Sequence, residues 1–364
     1  MSGGLLLTGV AENLPGCSKS TRTRSRSRKT AAVPLTRITS TKLRDSAFRL
    51  LQSDVAAAFK LHSIRSNGLL PILNFHRISD RDVGSGYTSM TPALFDEAIV
   101  WLGERFELTL FGELPELRRS RKPPLIISFD DGYKDFIETV VPILEKRRVR
   151  VNQNIIPAVV ESGLPPMNVL VQDFIVGAPA SLLREIRLPG LPGGVDPEQR
   201  QKACLAVSAA IKSKPMSQQR ALYASLKTEM ARFDSFRPTP MMSTEDLRQI
   251  ASVHELGAHS YEHASMASEG DDYLSADATK CKEYFSGQLG QDVTIYAFPN
   301  GSWKSHQAEL LRGFGFKHVL LVGEDYSRPD AWLHPRFTIH GQNAAEVRAR
   351  ALGWIRRHTH AAAG

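Results

Sequence analysis

The sequence predicts an α/β fold in which most strands run parallel. Short apolar runs, typical of strands buried on both faces, alternate along the chain with longer amphipathic segments typical of helices. Residues 69–75 and 125–129 are runs of the first kind, and residues 91–105 form a segment of the second kind. Such alternation indicates a parallel sheet or barrel, whose functional side chains gather at the carboxyl ends of the strands.

The other predicted elements continue this alternation. Strands are predicted at residues 149–156, 294–298 and 317–322. Helices are predicted at residues 134–146, 243–251, 275–289, 306–314 and 344–356. Ser243 and Ser275 are the expected N-caps of their helices, since a serine hydroxyl accepts from the first free backbone N–H groups.

Residues 163–240 interrupt the pattern. They hold nine of the chain's 21 prolines, and helices are predicted there only from Asp196 and over residues 217–233. We expect a helical insertion inside a main domain of residues 68–356, because long loops in compact domains are uncommon and often form lids or binding elements. Residues 45–67 have the apolar spacing of an amphipathic helix or linker.

The net charge of +8 belongs to residues 1–44, which hold nine basic residues and one acidic residue. The rest of the chain is neutral, so we expect a disordered basic N-terminal segment and no specific nucleic-acid partner. No apolar run reaches the ~18 residues of a membrane helix. Without a convincing signal peptide we expect a cytoplasmic protein, with an extracytoplasmic or membrane-associated location as the alternative.

Two adjacent carboxylates, Asp130 and Asp131, directly follow the predicted strand at residues 125–129. Neighbouring carboxylates repel each other unless a cation or a proton relieves the repulsion. Gly132 permits a tight turn that presents both side chains. A surface turn rich in Asp and Gly is the alternative interpretation, and the buried strand before the pair favours a functional one.

Two histidines, His259 and His263, lie four residues apart. On a helical turn this spacing places both imidazoles on one face, where they suit one metal ion. Chance is the alternative, because eleven histidines produce such pairs fairly often. Combined with a carboxylate, the pair leaves a divalent metal with open positions for water and substrate, and a second carboxylate can accept a proton from that water. The two signals together predict a metal-assisted hydrolase.

These motifs resemble those of the polysaccharide deacetylase family with a NodB homology domain (carbohydrate esterase family 4). Residues 128–132, SFDDG, are similar to the family's (T/S)FDDG motif, and residues 259–263, HSYEH, to its H(S/T)xxH motif. Residues 296–301, YAFPNG, resemble the FAYPYG motif of one branch. Residues 74–78, NFHRI, resemble the YHRV element of the branch that acts on poly-N-acetylglucosamine. The resemblance implies a NodB-type distorted (β/α) barrel of the glycoside hydrolase/deacetylase superfamily.

The resemblance also implies a role for each matching residue. Asp130 is the implied catalytic base, and the implied metal ligands are Asp131, His259 and His263. The arginine of the usual third motif is missing, so Arg336 is the candidate that orients the base.

The family's C-terminal Leu-x-His motif is missing as well. The resemblance of residues 74–78 to the YHRV element implies instead that His76 is the general acid, with His334 as the second choice and a structural histidine as the alternative for His76. The implied substrate-binding residues are Tyr133, Phe298, Pro299, Asn300 and His334. Asn300 stands where the family usually has tyrosine, and the backbone near Phe298 is an expected oxyanion donor.

The sequence thus predicts a polysaccharide or chitooligosaccharide deacetylase, a hydrolase that acts on linear amides at carbon–nitrogen bonds other than peptide bonds. Its expected reaction removes N-acetyl groups from an N-acetylglucosamine-type sugar and releases acetate. The expected cofactor is a divalent metal ion, Zn²⁺ first, with Co²⁺ or Ni²⁺ as alternatives. Two other functions stay open: a catalytically inactive carbohydrate-binding member of the fold, and a hydrolase of another small amide. The oligomeric state is not readable from the sequence.

Overall fold

The computed structural model describes residues 54–80, 89–117, 120–190, 195–233, 236–339 and 343–356. The predicted disorder of residues 1–44 and the start of the predicted first helix, residues 45–53, lie outside these ranges. Among the described residues, no helix has the length and apolar character needed to cross a membrane.

Seven parallel strands close into a barrel. They are β1 (Ile72–Phe75), β3 (Pro124–Phe129), β4 (Asn152–Ile155), β5 (Glu255–Ala258), β6 (Ile295–Ala297), β7 (His318–Val322) and β8 (Leu333–Thr338). The strands follow one another in the order β1, β8, β7, β6, β5, β4, β3, and the pairing of β1 with β3 closes the ring. A two-residue strand, β2 (Glu107–Leu108), pairs with the start of β3.

The interior of the barrel changes from apolar to polar along the strands. Alternate strand residues face opposite sides of a sheet. Ile72 and Ile126 pack with Ile295 and Leu320 in an apolar cluster near the amino ends of the strands. Two residues further along β1 and β3, the same face carries the buried polar side chains Asn74 and Ser128. This polar end positions the candidate site.

Helices surround the barrel. They are α1 (Asp54–Ser66), α2 (Pro92–Arg105), α3 (Val141–Arg147), α4 (Pro157–Ser162), α9 (Thr244–Ile250), α10 (Asp271–Leu289), α11 (Ser305–Gly313) and α12 (Ala344–Ala351). A π-helical turn, Phe136–Val140, leads into α3. The predicted cap of α9 is confirmed, because Ser243 Oγ accepts from Asp246 N at 3.2 Å.

The predicted cap of α10 is wrong. This helix begins at Asp271 after Gly270, and Ser275 Oγ donates to Asp271 O at 2.8 Å inside the helix. Asp271 and Asp272 occupy the first turn, where a carboxylate interacts favourably with the positive end of the helix dipole. The serine was a plausible cap by residue type, but the acidic pair marks the real start.

Four helices between β4 and β5 pack around a hydrophobic cluster of their own. They are α5 (Met167–Gly177), α6 (Ala180–Glu185), α7 (Arg200–Lys212) and α8 (Met216–Ala231). Their shared core includes Phe174, Leu183, Val207 and Leu226. The sequence pattern predicted two of these helices and missed α5 and α6. We refer to the four together as the α5–α8 segment.

Candidate metal centre and active site

The two sequence motifs meet at the carboxyl end of the barrel. Asp130 and Asp131 directly follow β3, and His259 directly follows β5, one strand beyond β4 in the ring. The backbone at Asp131 has φ +76°, in the left-handed region that few residues other than glycine adopt. Gly132 continues this turn with φ +79°. The turn therefore presents two consecutive carboxylates at one strand end.

Asp131, His259 and His263 form a buried group whose candidate ligand atoms all lie within 4.8 Å of one another. Asp131 Oδ1 is 3.3 Å from His259 Nε2 and 3.4 Å from His263 Nε2. Asp131 Oδ1 has no hydrogen-bond partner although it is buried, and a buried polar atom in that state is costly unless a ligand satisfies it. The donor set suits a divalent ion such as zinc and leaves coordination positions for water and substrate.

A hydrogen bond to the backbone fixes the ring orientation of His259. His259 Nδ1 lies 2.8 Å from the backbone carbonyl oxygen of Ala297, so Nδ1 carries the proton and donates it to that oxygen. The other nitrogen, Nε2, then faces Asp131 Oδ1 at 3.3 Å. Metal-binding histidines commonly have this second hydrogen bond, which sets both tautomer and orientation.

The His259–His263 pair does not lie on a helical turn, as the spacing had suggested. Residues 259–263 form a loop after β5, and Ser260 and His263 have φ values of +59° and +64°. A buried carboxylate of α10, Asp277, holds this loop: it accepts from Ser260 Oγ at 2.7 Å and from Tyr261 N at 2.8 Å. Left-handed residues and a buried clamp bring the imidazoles together.

Asp130 lies in a closed network of hydrogen bonds. Arg336 of β8 binds it in bidentate fashion, with Nη1 to Oδ1 and Nη2 to Oδ2 both at 2.8 Å. Asn74 Nδ2 donates to Oδ2 at 3.0 Å, and Asn154 Nδ2 donates to Oδ1 at 2.8 Å. Asp130 Oδ2 is also 4.0 Å from His259 Nε2. The structure therefore brings the predicted partner Arg336 to Asp130.

The sequence-based site omitted the two asparagines in this network. Asn74 lies at the carboxyl end of β1 and Asn154 at that of β4, and both are fully buried. An amide side chain in a strand buried on both faces needs hydrogen-bond partners. For Asn74 the available signal was an amide in the apolar strand β1, and for Asn154 it was a run of three amide side chains in β4.

Nearby basic side chains lower the pKa values of both carboxyl groups of the motif, Asp130 and Asp131. Burial opposes ionisation of Asp130, but the positive charges of Arg336 and His259 outweigh it and hold the pKa of Asp130 below its usual range. Burial likewise opposes ionisation of Asp131, and the imidazoles of His259 and His263 outweigh it and hold its pKa well below the usual range. Both carboxylates are therefore anionic, as a metal ligand and a proton acceptor need to be.

A cavity of about 290 Å³ opens beside this group. Asp131, His259 and His263 line it, together with the predicted residues His76, Tyr133 and Asn300. Burial lowers the pKa of His76, although the charges of Asp131 and Asp130 oppose that shift. The α5–α8 segment adds Asn168, Val169, Gln172 and Lys212 to the wall. No pattern in the sequence indicated that these four residues face the site.

Three predicted substrate-binding residues do not line the cavity. Phe298 is fully buried, and its backbone N–H donates to Leu320 O at 3.0 Å, so that N–H is not available to an oxyanion. Pro299 is buried as well. The fully buried His334 lies two residues before Arg336 on β8 and contacts Ser327 and His318 through its two ring nitrogens. Because both nitrogens are engaged in the barrel, His334 does not reach a substrate.

Residues 214–319 match the family model described as polysaccharide deacetylase. This part of the chain is therefore similar to polysaccharide deacetylases. Among curated proteins, no sequence matches the chain significantly. The fold is similar to that of a Streptococcus pyogenes deacetylase, PplD, solved with acetate, with a TM-score of 0.52 and 15% identity over 78% of this chain and 98% of that one. The fold is also similar to that of a Bacillus cereus polysaccharide deacetylase, with a TM-score of 0.51 and 13% identity over 78% of this chain and 69% of that one.

The structural similarity confirms the predicted fold, a NodB-type (β/α) barrel. At such low identity it bears on the fold and not on the substrate. The stretch matched by the family model includes the HSYEH loop and ends in β7, so it covers the histidine side of the metal group. The carboxylates Asp130 and Asp131 follow β3, outside that stretch, and lie near the histidine loop because β4 pairs with both β3 and β5.

Proposed function

We propose that this chain is a metal-dependent hydrolase that removes N-acetyl groups from an N-acetylglucosamine-type sugar chain and releases acetate. One observation carries the proposal. Asp131 Oδ1, buried and without a hydrogen bond, faces the Nε2 atoms of two histidines at the wall of a cavity. The ligands in this proposal are Asp131, His259 and His263, and the ion is Zn²⁺, with Co²⁺ or Ni²⁺ as alternatives.

In this proposal, each residue around the ion has a separate role. A bound divalent ion supplies Lewis acidity, which polarises an acetamide carbonyl and lowers the pKa of a water molecule. Asp130 accepts the proton of the attacking water, and Arg336 together with the two asparagines fixes the direction of its lone pairs. His76, at the cavity wall, donates a proton to the departing sugar nitrogen. Tyr133 and Asn300 contact the sugar.

The experiment measures metal content and acetate release for purified protein on a panel of N-acetylglucosamine oligomers, with and without a chelator. We expect about one divalent ion per chain and acetate release that the chelator abolishes. Asp131→Ala is expected to lose both metal and activity. Asp130→Asn is expected to keep the metal and lose turnover by at least ~100-fold, the usual size of a general-base contribution.

Metal content also reports whether Asp130→Asn has folded, since it leaves Arg336 without its anion. Asp292→Ala, which changes an exposed carboxylate that does not line the cavity, serves as the matched control and is expected to behave like wild type. Full activity of Asp130→Asn contradicts the assigned base. Neither metal nor acetate release in the wild type favours a carbohydrate-binding protein, and release only from a non-sugar amide favours the small-amide hydrolase.

A further inference from the structure

Every strand of the barrel contributes to the wall of the active-site cavity. His76 follows β1, Asp131 follows β3, and the two histidines of the metal group follow β5. Asn300 follows β6, Val322 ends β7 and Ile339 follows β8. The remaining strand, β4, contributes through the α5–α8 segment, which follows it in the chain. A groove that crosses the end of a barrel leaves its wall open at two places, whereas lining residues come from all around this ring. The cavity is therefore a pocket.

The wall formed by the α5–α8 segment is attached to the turn that presents the two carboxylates. Val169 of α5, which lines the cavity, packs with Tyr133 and Met241 in one apolar cluster. Met242 N donates to Gly132 O at 2.9 Å. The chain therefore leaves the segment directly beside the carboxylate turn, and this side of the wall is held by apolar packing and by the backbone.

The same wall is also attached to the histidine loop, residues 259–263. Arg220 of α8 donates to both carboxylate oxygens of Glu262 in that loop, at 3.1 and 2.7 Å. At the start of α8, Met216 N donates to Glu269 Oε1 at 2.6 Å. Because contacts on both sides of the metal group hold it, the α5–α8 segment is a fixed wall of the pocket.

The size of the pocket suits one sugar residue. Its volume is about 290 Å³, at the lower end of the roughly 300–1,000 Å³ of small-molecule pockets. An acetamido group alone fills only a small part of such a volume, so the pyranose ring that carries it has room inside as well. The next sugar of a chain then lies outside the rim.

Asn168 is placed to hold this sugar. It lies in the first turn of α5, is buried and lines the pocket. Its amide offers donors and an acceptor, which match the hydroxyl groups of a sugar. A buried hydrogen-bonding group also gives specificity, because a ligand that leaves it unpaired binds less tightly.

We propose that the pocket accepts one terminal N-acetylated sugar residue, bound by Asn168, and excludes the internal residues of a long polymer. The residue is either a simple glycoside or the end of a short chain. This inference rests on the proposed deacetylase function and narrows its substrate class. In the competing arrangement, a long chain lies across the rim and places the acetamido group of an internal residue in the pocket. That arrangement predicts several acetyl groups lost per chain and a kcat/KM that rises with chain length.

The test measures acetate release by the metal-loaded protein from the methyl glycoside of N-acetylglucosamine and from N-acetylglucosamine oligomers, dimer to hexamer. We expect each oligomer to lose one acetyl group, at a chain end that tandem mass spectrometry identifies. We expect kcat/KM to vary by less than about threefold from dimer to hexamer, because sugars outside the pocket add little transition-state binding. Loss of acetyl groups from internal residues, or a larger rise of kcat/KM with length, overturns the inference.

Asn168→Ala tests the contact with the sugar. We expect kcat/KM to fall by about fivefold, the usual size of one lost hydrogen bond, and by the same factor for the methyl glycoside and for every oligomer. Val176→Ala changes an exposed position of the same helix and is expected to behave like wild type. No loss in Asn168→Ala, or a loss confined to the longer oligomers, overturns the inference. Absence of acetate release from every saccharide in metal-loaded wild type instead overturns the deacetylase function itself.

Discussion

At the scale of single residues, the two carboxylates of the SFDDG motif have opposite surroundings. Four hydrogen bonds from Arg336, Asn74 and Asn154 engage both oxygens of Asp130. The next residue, Asp131, leaves Oδ1 unpaired in front of two imidazoles. Since the left-handed φ of Asp131 turns the chain between them, neighbours in sequence are separated into a supported carboxylate and an open one. This separation fits the roles of base and ligand that we propose.

Replacement of Arg336 by methionine tests the support of Asp130. The variant leaves a buried carboxylate without its cation, and breaking such a pair costs about 3–5 kcal/mol of unfolding free energy. We expect a loss of that size in urea denaturation and a fall in kcat of ~100-fold or more, because a misplaced catalytic group costs about that much. Arg336→Lys keeps the charge but not the bidentate geometry, and intermediate values are expected. Wild-type kcat in Arg336→Met contradicts the positioning role.

Replacement of Asp277 is expected to weaken metal binding. Its carboxylate fixes the histidine loop through Ser260 and Tyr261 and also accepts from the Tyr296 hydroxyl at 2.7 Å. Outer residues that orient metal ligands typically contribute 10–100-fold to metal affinity. We expect Asp277→Asn to weaken Zn²⁺ binding by about that factor in competition with a chromogenic chelator. Asp272→Asn, an exposed position of the same helix, is the control, and equal affinities for the two variants count against the clamp.

At the scale of elements, the α5–α8 segment has its own hydrophobic cluster and still contributes a wall of the cavity. The sequence indicated helices here but missed two of the four, because prolines were read as interruptions. Pro166, Pro179 and Pro215 lie instead at the N-caps of α5, α6 and α8. Proline is tolerated at a helix start, where the N–H that it lacks has no partner in any case. That the segment is an insertion into the domain stays a prediction.

A substitution in the hydrophobic core of the α5–α8 segment should destabilise that segment and leave the barrel stable. Phe174 is fully buried in the cluster of α5–α8, and a buried Phe→Ala change costs about 3–5 kcal/mol. In Phe174→Ala we expect faster amide hydrogen exchange over residues 167–231, with protection of the barrel strands and metal content retained. Val176→Ala, an exposed position of the same helix, is the control. Uniform loss of protection across the chain shows that the segment and the barrel unfold together.

For the histidine motif, residue spacing predicted the wrong type of local structure. The four-residue spacing was read as a helical turn, and the structure has a loop with left-handed residues at Ser260 and His263. Both geometries bring the imidazoles together, so spacing alone does not distinguish them. The clamp from Asp277, eighteen residues beyond His259, is a tertiary contact that no local pattern contains.

At the scale of the whole molecule, the barrel buries histidines that the site does not use. His334 Nδ1 pairs with Ser327 Oγ at 2.8 Å, and its Nε2 pairs with His318 Nδ1 at 3.0 Å. Burial is the largest cause that lowers the pKa of His334 to about 3, and the charges of His318 and Arg336 lower it further. Because the unfolded chain binds a proton near pH 6.5 and the folded one does not, the contribution of His334 to stability is lost as pH falls below 6.5.

The measurement is the urea unfolding free energy of metal-free wild type and His334→Asn between pH 7.5 and 4.5. The wild-type protein is expected to be the more stable at neutral pH, since the substitution disturbs a buried network. That advantage should shrink below pH 6.5 by up to about 1.4 kcal/mol per pH unit. The difference between the two proteins reports His334 together with its hydrogen-bonded partner His318 and removes the contribution of more distant groups. A constant difference across the series contradicts a depressed pKa at this residue.

Taken by itself, the sequence determined the residue types that carry the chemistry and the alternation that produces a parallel barrel. Hydrophobic periodicity and strand–helix alternation are local patterns, so they can be recognised in the sequence. The tertiary structure alone decided which polar groups meet. Closure of β1 on β3 and β8 brings Asn74 and Arg336 to Asp130, and packing of α5–α8 brings Lys212 to the cavity. These contacts join residues far apart in the chain, and only the three-dimensional path of the backbone fixes their distances.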